Sequence, residues 1–272
     1  MPLLKAHAHN DYLHERPLFD ALEQGFTSIE ADVYLADGNL CVAHDKEQIV
    51  PGKTLPSMYL EPLRSRIKAN KGHVYGKRTP VILLIDVKSD ADPTYLALRD
   101  LLKKYADVLT LYKGNRRIDR PINVIISGNL PLDLMKNEKV RYASGDGRLL
   151  DLGSGISSSL IPLISGNWQD LFTWRGRGRF PPVEKERLER IVRGAHAERR
   201  QVRFWATDVD SPEDQVNLWN ALLQANVDLI GTDKLEMLKK FLRDHETDSG
   251  TAAPRPYGDP PAKTVCSFGR KG

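Results

Sequence analysis

Residues 80–88 read PVILLIDVK. A proline opens the run, five aliphatic residues follow, and a carboxylate and an ammonium stand near its end. An unbroken apolar run of this length is the pattern of a strand buried on both faces, as in a parallel sheet covered by helices. Asp86 and Lys88 are two positions apart, so alternation along a strand sends both to the same face. The stretch predicts an α/β fold with charged groups gathered at the ends of its strands.

The flanking sequence agrees. Residues 3–9 (LLKAHAH) read as a strand and 16–25 (RPLFDALEQG) as a helix ending at Gly25. SIEADVYL (28–35) alternates, turns at Asp37-Gly38 and returns as NLCVAHD (39–45). Residues 45–79 read as an insertion with a helix around MYLEPLRSRIKAN. Beyond the opening run come an amphipathic helix over 93–109, a strand over 121–128 and a helix near 130–136. Short strands follow at 140–145 and 160–166, then helix 181–200, strand 201–208, helix 211–225, strand 227–233 and helix 234–244. About eight strands, mostly followed by helices, predict a single-domain (β/α)8 TIM barrel over residues 1–245. The rival, a doubly wound open sheet, lacks its glycine-rich phosphate fingerprint after the first strand. Residues 246–272, rich in Pro, Gly and small side chains, read as a tail.

Composition narrows the function classes. The chain has 272 residues, 40% hydrophobic and 28% charged, enough for one sizeable core. No run approaches the ~20 apolar residues of a membrane span. Met1 leads directly into a core-type strand with no visible signal peptide, which predicts a soluble chain and leaves open whether it is the mature part of a secreted precursor. A net charge of +4 and a pI near 8.9 favour anionic partners without forming a nucleic-acid footprint. Cys41 and Cys266 have no metal-type spacing, and both a disulfide and two free thiols stand open.

In a barrel the chemistry sits at the C-terminal ends of the strands. Residues placed there include His7, His9, Glu30, Asp32, His44, Asp86, Lys88, Trp205, Asp208 and Asp233. Glu30 and Asp32 share one face of their strand, and Asp86 joins them if the strands are neighbours. Three converging carboxylates repel and desolvate one another. One hard divalent cation, magnesium or calcium, resolves that; a salt-bridge network with Lys88 is the other solution. His7 and His9 suit a metal site, an acid/base site, or one working histidine beside a structural one.

The stretch "HNDY…PLFDALEQGFTSIEADVYLADGNLCVAHD" resembles the amino-terminal signature of the glycerophosphodiester phosphodiesterase-like superfamily, which includes phosphatidylinositol-specific phospholipases C and sphingomyelinases D. The match is a histidine after the first strand, Glu-x-Asp, an Asp-Gly turn, then His-Asp. LIDVKSD resembles the third metal strand, and VRFWATD and VDLIGTD the last two barrel strands. Within the superfamily, HAHNDY, NWQDLFTWRGRG and VRFWATD resemble the fungal "altered inheritance of mitochondria" branch and its bacterial relatives. The resemblance, over residues 4–242, implies catalytic His9 and His44, metal ligands Glu30, Asp32 and Asp86, phosphate-binding Lys88, and Trp205 walling the pocket. His7, deeper on the strand, is then a supporting group. The glycerophosphodiesterases proper follow the first histidine with Arg-Gly; here Asn10-Asp11 stand instead, and Asn10 is assigned to the substrate.

The implied activity is metal-dependent hydrolysis of a glycerophosphodiester, phospholipid or related phosphodiester, with two histidines as acid and base and a cyclic phosphate as one route. Two other readings stay open. One is a metal-dependent amidohydrolase built on His7-x-His9. The other is a barrel that binds a phospholipid or sugar phosphate without turnover. The arginine stretches GNRRIDR (114–120) and WRGRGRF (174–180) read either as solvated loops or as a basic rim contacting a membrane surface. Oligomeric state is not legible.

Overall fold

Eight parallel strands close on themselves in the computed structural model, which describes residues 1–76, 78–114 and 116–248. In chain order the strands are β1 (Leu3–Ala8), β2 (Phe26–Ala36), β3 (Asn39–Val42), β4 (Val81–Val87), β5 (Leu111–Lys113), β6 (Arg116–Ile118), β7 (Ile122–Gly128), β8 (Val140–Arg141), β9 (Ala143–Gly147), β10 (Leu163–Asn167), β11 (Gln201–Trp205) and β12 (Leu229–Thr232). The barrel runs β1-β2-β4-β7-β9-β10-β11-β12, and β12 pairs with β1 at Ala6↔Ile230 and His7↔Gly231 to close it. The helices are α1 (Phe19–Gln24), α2 (Glu61–Ala69), α3 (Ala91–Leu102), α4 (Leu132–Asn137), α5 (Trp168–Leu171), α6 (Pro182–Ala197), α7 (Pro212–Gln224) and α8 (Leu235–Asp248).

The opening run is β4, between β2 and β7, with Asp32 level with Asp86 and Asp86 level with Ser127. Its odd-numbered residues Leu83, Ile85 and Val87 pack outward in the large core under the helices, with Leu63, Leu98, Leu188, Leu218, Trp219 and Leu238. Burying each such side chain stabilises the fold by roughly 1.5–3 kcal/mol. Its even-numbered residues face the barrel axis. Leu84, Ile125, Leu163 and Leu229 form a second, small apolar cluster with Ile82 against it. Two residues further along β4, β7, β10 and β12, the same face carries Asp86, Ser127, Ser165 and Gly231. The barrel is therefore apolar in its lower layer and polar above.

Several expectations need adjusting. NLCVAHD does return from the Asp37-Gly38 turn, as β3, antiparallel to β2, and is not counted among the eight barrel strands. The stretch 140–145 is divided: β8 belongs to a three-stranded sheet β6-β5-β8, and the barrel strand starts at Ala143. Within GNRRIDR, Arg116–Ile118 form β6 of that sheet, before the N-terminal end of β7. It therefore lies at the end of the barrel away from the site, and a basic rim at the mouth cannot include it. Segment 45–79 carries the wide helical turn Pro56–Leu60 and α2, which bury Tyr59, Leu60 and Leu63. Cys41 is a buried free thiol. Cys266 and residues 249–272 of the tail lie outside the described residues. Among the described residues no helix is long and apolar enough to cross a membrane.

Candidate active site

Glu30 and Asp32 from β2 and Asp86 from β4 converge at the barrel mouth, with one ligand atom of each within 4.8 Å of the others. Strand register causes this: Asp32 and Asp86 sit side by side, and Glu30 lies two residues deeper on the same face. Each carboxylate commits an oxygen to protein donors. Glu30 Oε2 takes the Arg203 guanidinium at 2.5 Å and lies 2.9 Å from His7 Nε2. Asp32 Oδ2 takes three donors: His44 Nδ1 at 2.7 Å, the Tyr12 hydroxyl at 3.0 Å and Lys88 Nζ at 3.3 Å. Asp86 Oδ2 takes Lys88 Nζ at 3.0 Å. Asp32 Oδ1 and Asp86 Oδ1 are buried with no hydrogen-bond partner. Buried acceptors are rarely left so, and two hard oxygens beside a third carboxylate are the donor set of a magnesium or calcium ion. The residues present fit such an ion.

The charges are tuned by their surroundings. Burial works to raise the Glu30 carboxyl, but Arg203 and then His7 hold it well below the usual carboxylate range. Burial, with Arg203 next, lowers His7 to about 4, so its ring is neutral at physiological pH. Burial raises Asp32, with Lys88 partly offsetting it. Burial works to lower Lys88, but Asp86 and Asp32 raise it overall.

His9, at the end of β1, points its Nδ1 at Asp233 Oδ1, 2.8 Å away. An ionised carboxylate only accepts, so Nδ1 carries the proton and Nε2 is the nitrogen left for chemistry. Burial works to lower the His9 pKa, but the bond to Asp233 and the charges of Glu30 and Asp233 raise it. His44 is oriented in the same way by Asp32. Asn10 has left-handed backbone (φ 48°) and sets its amide beside His9 and Asp233. Trp205 is 39% exposed and lines a cavity of about 130 Å³ with His7, His9, Arg203, Asp208 and Asp233. A groove of about 520 Å³ between α6 and α7 touches none of these residues.

Every sequence-assigned site residue lies at or just beneath the mouth, and His7 lies deeper than His9, as a supporting group would. His7 and His9 line one cavity but hold different partners: His7 is fully buried, at its floor, with Nδ1 on Ser28 and Nε2 beside Glu30 and Arg203, whereas His9 turns to Asp233. Both His7 nitrogens thus have protein partners, which weighs against the His-x-His metal pair of the amidohydrolase reading. Lys88 bridges two carboxylates, so the salt-bridge network and the carboxylate cluster coexist. His9, Asp208 and Asp233 also cluster, but both Asp208 oxygens are in use, one accepting from the Thr232 hydroxyl and the other from the Asp233 amide.

Arg203, Tyr12 and Asp146 were not anticipated. Arg203 is 3% exposed, and besides Glu30 it reaches Ser165 and the wholly buried Asp146. The available signal was an arginine in a strand two residues before Trp205, hence on the same inward face. Arg175 donates to the carbonyls of Phe172 and Trp174, which makes it a loop brace, while Arg177 and Arg179 stay exposed.

Comparison with known proteins gives the family and the fold. The "AIM6-like phosphodiesterase domain" family matches residues 1–144. The chain is 30% identical over 270 residues to "Altered inheritance of mitochondria protein 6" of Eremothecium gossypii, covering 88% of this chain and 69% of that protein. It is 29% identical over 275 residues to the protein of that name from Saccharomyces cerevisiae, with 88% and 70% covered. Among solved structures, a glycerophosphoryl diester phosphodiesterase from Parabacteroides distasonis superposes with a TM-score of 0.51 at 13% identity, covering 90% of this chain and 87% of that one. At that identity it speaks for the barrel alone. The chain belongs to the AIM6-like phosphodiesterase domain family.

Proposed function

We propose that this chain hydrolyses a phosphodiester with one bound magnesium or calcium ion and two histidines as acid and base. The observation that carries the reading is the pair of buried, unpartnered oxygens of Asp32 and Asp86, set beside Glu30 in a mouth where His9 and His44 are each aimed by an aspartate. Glu30, Asp32 and Asp86 would hold the ion. When bound, it supplies charge neutralisation for the phosphoryl oxygens.

The chain's own groups do the rest. Lys88 places an ammonium at the rim of the carboxylate cluster and adds positive potential for an anionic substrate. His9, whose pKa Asp233 raises, is suited to hold a proton for the leaving oxygen. His44, half-exposed and turned by Asp32, is suited to take one from the nucleophile. That nucleophile is water or a hydroxyl of the substrate, the second giving a cyclic phosphate. Trp205 offers an aromatic wall for the alcohol part, and Asn10 steadies the His9–Asp233 pair. The exposed Arg177 and Arg179 suit a substrate presented at an anionic lipid surface.

The test is a substrate screen with glycerophosphodiesters, lysophospholipids, sphingomyelin and phosphoinositides, following products by phosphorus NMR with magnesium, calcium or chelator. Turnover that needs a divalent ion and vanishes in His9→Ala supports the reading. Turnover unchanged by chelator, or none with any diester, refutes it.

A further inference from the structure

The loop after β1 is tied down at a residue for which the chemistry above has no use. Asn10 reverses the chain in left-handed backbone, so His9 faces the mouth while the next side chain, Asp11, is fully buried. Asp11 Oδ2 accepts two hydrogen bonds, from the Leu18 amide at 2.6 Å and from the Tyr59 hydroxyl at 2.8 Å. Tyr59 is itself fully buried, on the wide turn Pro56–Leu60 that leads into α2. Leu18 has φ 68° and ψ −50°, a conformation that costs a leucine roughly 1–3 kcal/mol and persists only where the surroundings hold it. The Asp11 carboxylate holds its amide, the Leu22 amide holds its carbonyl, and its side chain is buried. The next residue, Tyr12, sends its hydroxyl to Asp32 Oδ2.

Asp11 therefore stands between two side chains that meet the site, His9 on one side and Tyr12 on the other, and fastens the loop carrying both to the segment before α2. We infer that Asp11, braced by Tyr59, is a positioning residue for the reaction proposed above, on which this inference rests: it fixes where His9 and Tyr12 stand. The arrangement is demanding. Asp11 Oδ1 is buried without a hydrogen-bond partner, and burial pushes the carboxyl up to about 6 despite the bonds from Leu18 and Tyr59. With Asp11 under that load, the Tyr59 hydroxyl is the contact that ties it to the rest of the fold. Acid/base groups must sit within hydrogen-bond reach of their protons, and a misplacement of about 1 Å costs up to about 10²-fold in rate.

The experiment compares Tyr59→Phe, Asp11→Ala and Asp11→Asn with wild type by two readouts. The first is steady-state hydrolysis of the best diester from the screen under saturating metal. Tyr59→Phe is expected to lower kcat about tenfold with KM within about twofold, Asp11→Ala to do at least as much, and Asp11→Asn, which keeps an oxygen for the donors, to stay within about threefold of wild type. The second is the ¹H–¹⁵N imidazole signals of the histidines, which need no turnover. Those of His9 should shift in Tyr59→Phe while those of His196 stay put. Asp11→Ala replaces Tyr59→Phe in this comparison if the latter does not fold. Wild-type kcat and unmoved His9 signals, with only a lower melting temperature, would overturn the inference and leave Asp11 a plain structural anchor. Shifted His9 signals in a protein that hydrolyses no diester would support the brace and sink the reaction instead.

Discussion

Gly128, the last residue of β7, gives the sharpest handle on the carboxylate cluster. Its φ is +71°, and a Cβ built there would stand 2.0 Å from Asp86 Oδ1, 2.5 Å from the Val87 carbonyl oxygen and 3.0 Å from the Val87 nitrogen. Ordinary contact begins near 3.4 Å, so Gly128→Ala must push the Asp86 carboxylate or the end of β4 by more than 1 Å. Left-handed backbone alone costs an alanine roughly 1–2 kcal/mol, and overpacking adds roughly 1–3 kcal/mol. A loss of about 2–5 kcal/mol corresponds, at about 2–4 °C per kcal/mol for a domain of this size, to a fall in Tm on the order of 10 °C. Gly38 separates the two effects. It sits in the hairpin turn at φ +75° with nothing within 4 Å of a Cβ, so Gly38→Ala carries the backbone strain without the collision. The assay is thermal unfolding of both variants with magnesium, with calcium and with chelator. Gly38→Ala should melt a few degrees low and keep whatever metal-dependent rise the wild type shows. Gly128→Ala should melt lower still and lose most of that rise, because metal–ligand distances tolerate only ~0.2 Å. A Gly128→Ala protein that matches Gly38→Ala in both respects would refute the placement of Asp86 as a ligand.

Other outcomes follow from the same geometry. Asp32→Asn should abolish the rise in Tm with magnesium or calcium, since binding to the folded state is what produces it; equal melting of wild type with excess ion or chelator would remove the ion from the account. His9→Ala and His44→Ala should each lower turnover ~10²-fold or more, and the double variant little further, because paired acid and base act as a unit; near-wild-type rates in His9→Ala would reassign it. Asp11, facing Tyr59, His14 and Asp20, has its pKa raised from 3.8 to about 6. A raised carboxyl adds stability that is complete below about pH 4 and is lost as pH rises through 6, here on the order of 3 kcal/mol. In urea unfolding, the stability of wild type relative to Asp11→Asn should therefore fall by about that amount from pH 4 to pH 7, and a constant difference would contradict it.

The barrel was readable because its signals are local. An apolar run such as Val81–Ile85, bounded by a proline and a charge, has few other folded environments, and strand–helix alternation then repeats the message. Glu30, Asp32 and Asp86 were readable for a related reason, since a two-residue spacing on a strand fixes a shared face. What escaped is non-local or small. Asp233 meets His9 across 224 positions, a pairing no spacing rule contains. Arg203 escaped because it lies two residues inside the end of β11 and its partners Glu30 and Asp146 come from other strands, both buried. Ser28, Ser127, Ser144 and Ser165 fall in stretches read as strands, but nothing in a lone serine says that it will be wholly or almost wholly buried. The sheet β6-β5-β8 escaped because GNRRIDR is too polar to read as a strand.

The two layers inside the barrel divide labour in a way an engineer can use. Ile82, Leu84, Ile125, Leu163 and Leu229 hold the lower layer with no ionisable group among them, whereas the charged and hydroxylated side chains stand above. Robustness and reactivity thus reside on different residues of the same strands. Volume-conserving swaps in the lower layer are usually tolerated at under ~1.5 kcal/mol, so a combinatorial library confined to those five positions offers a route to a hardier protein without altering any residue named in the chemistry.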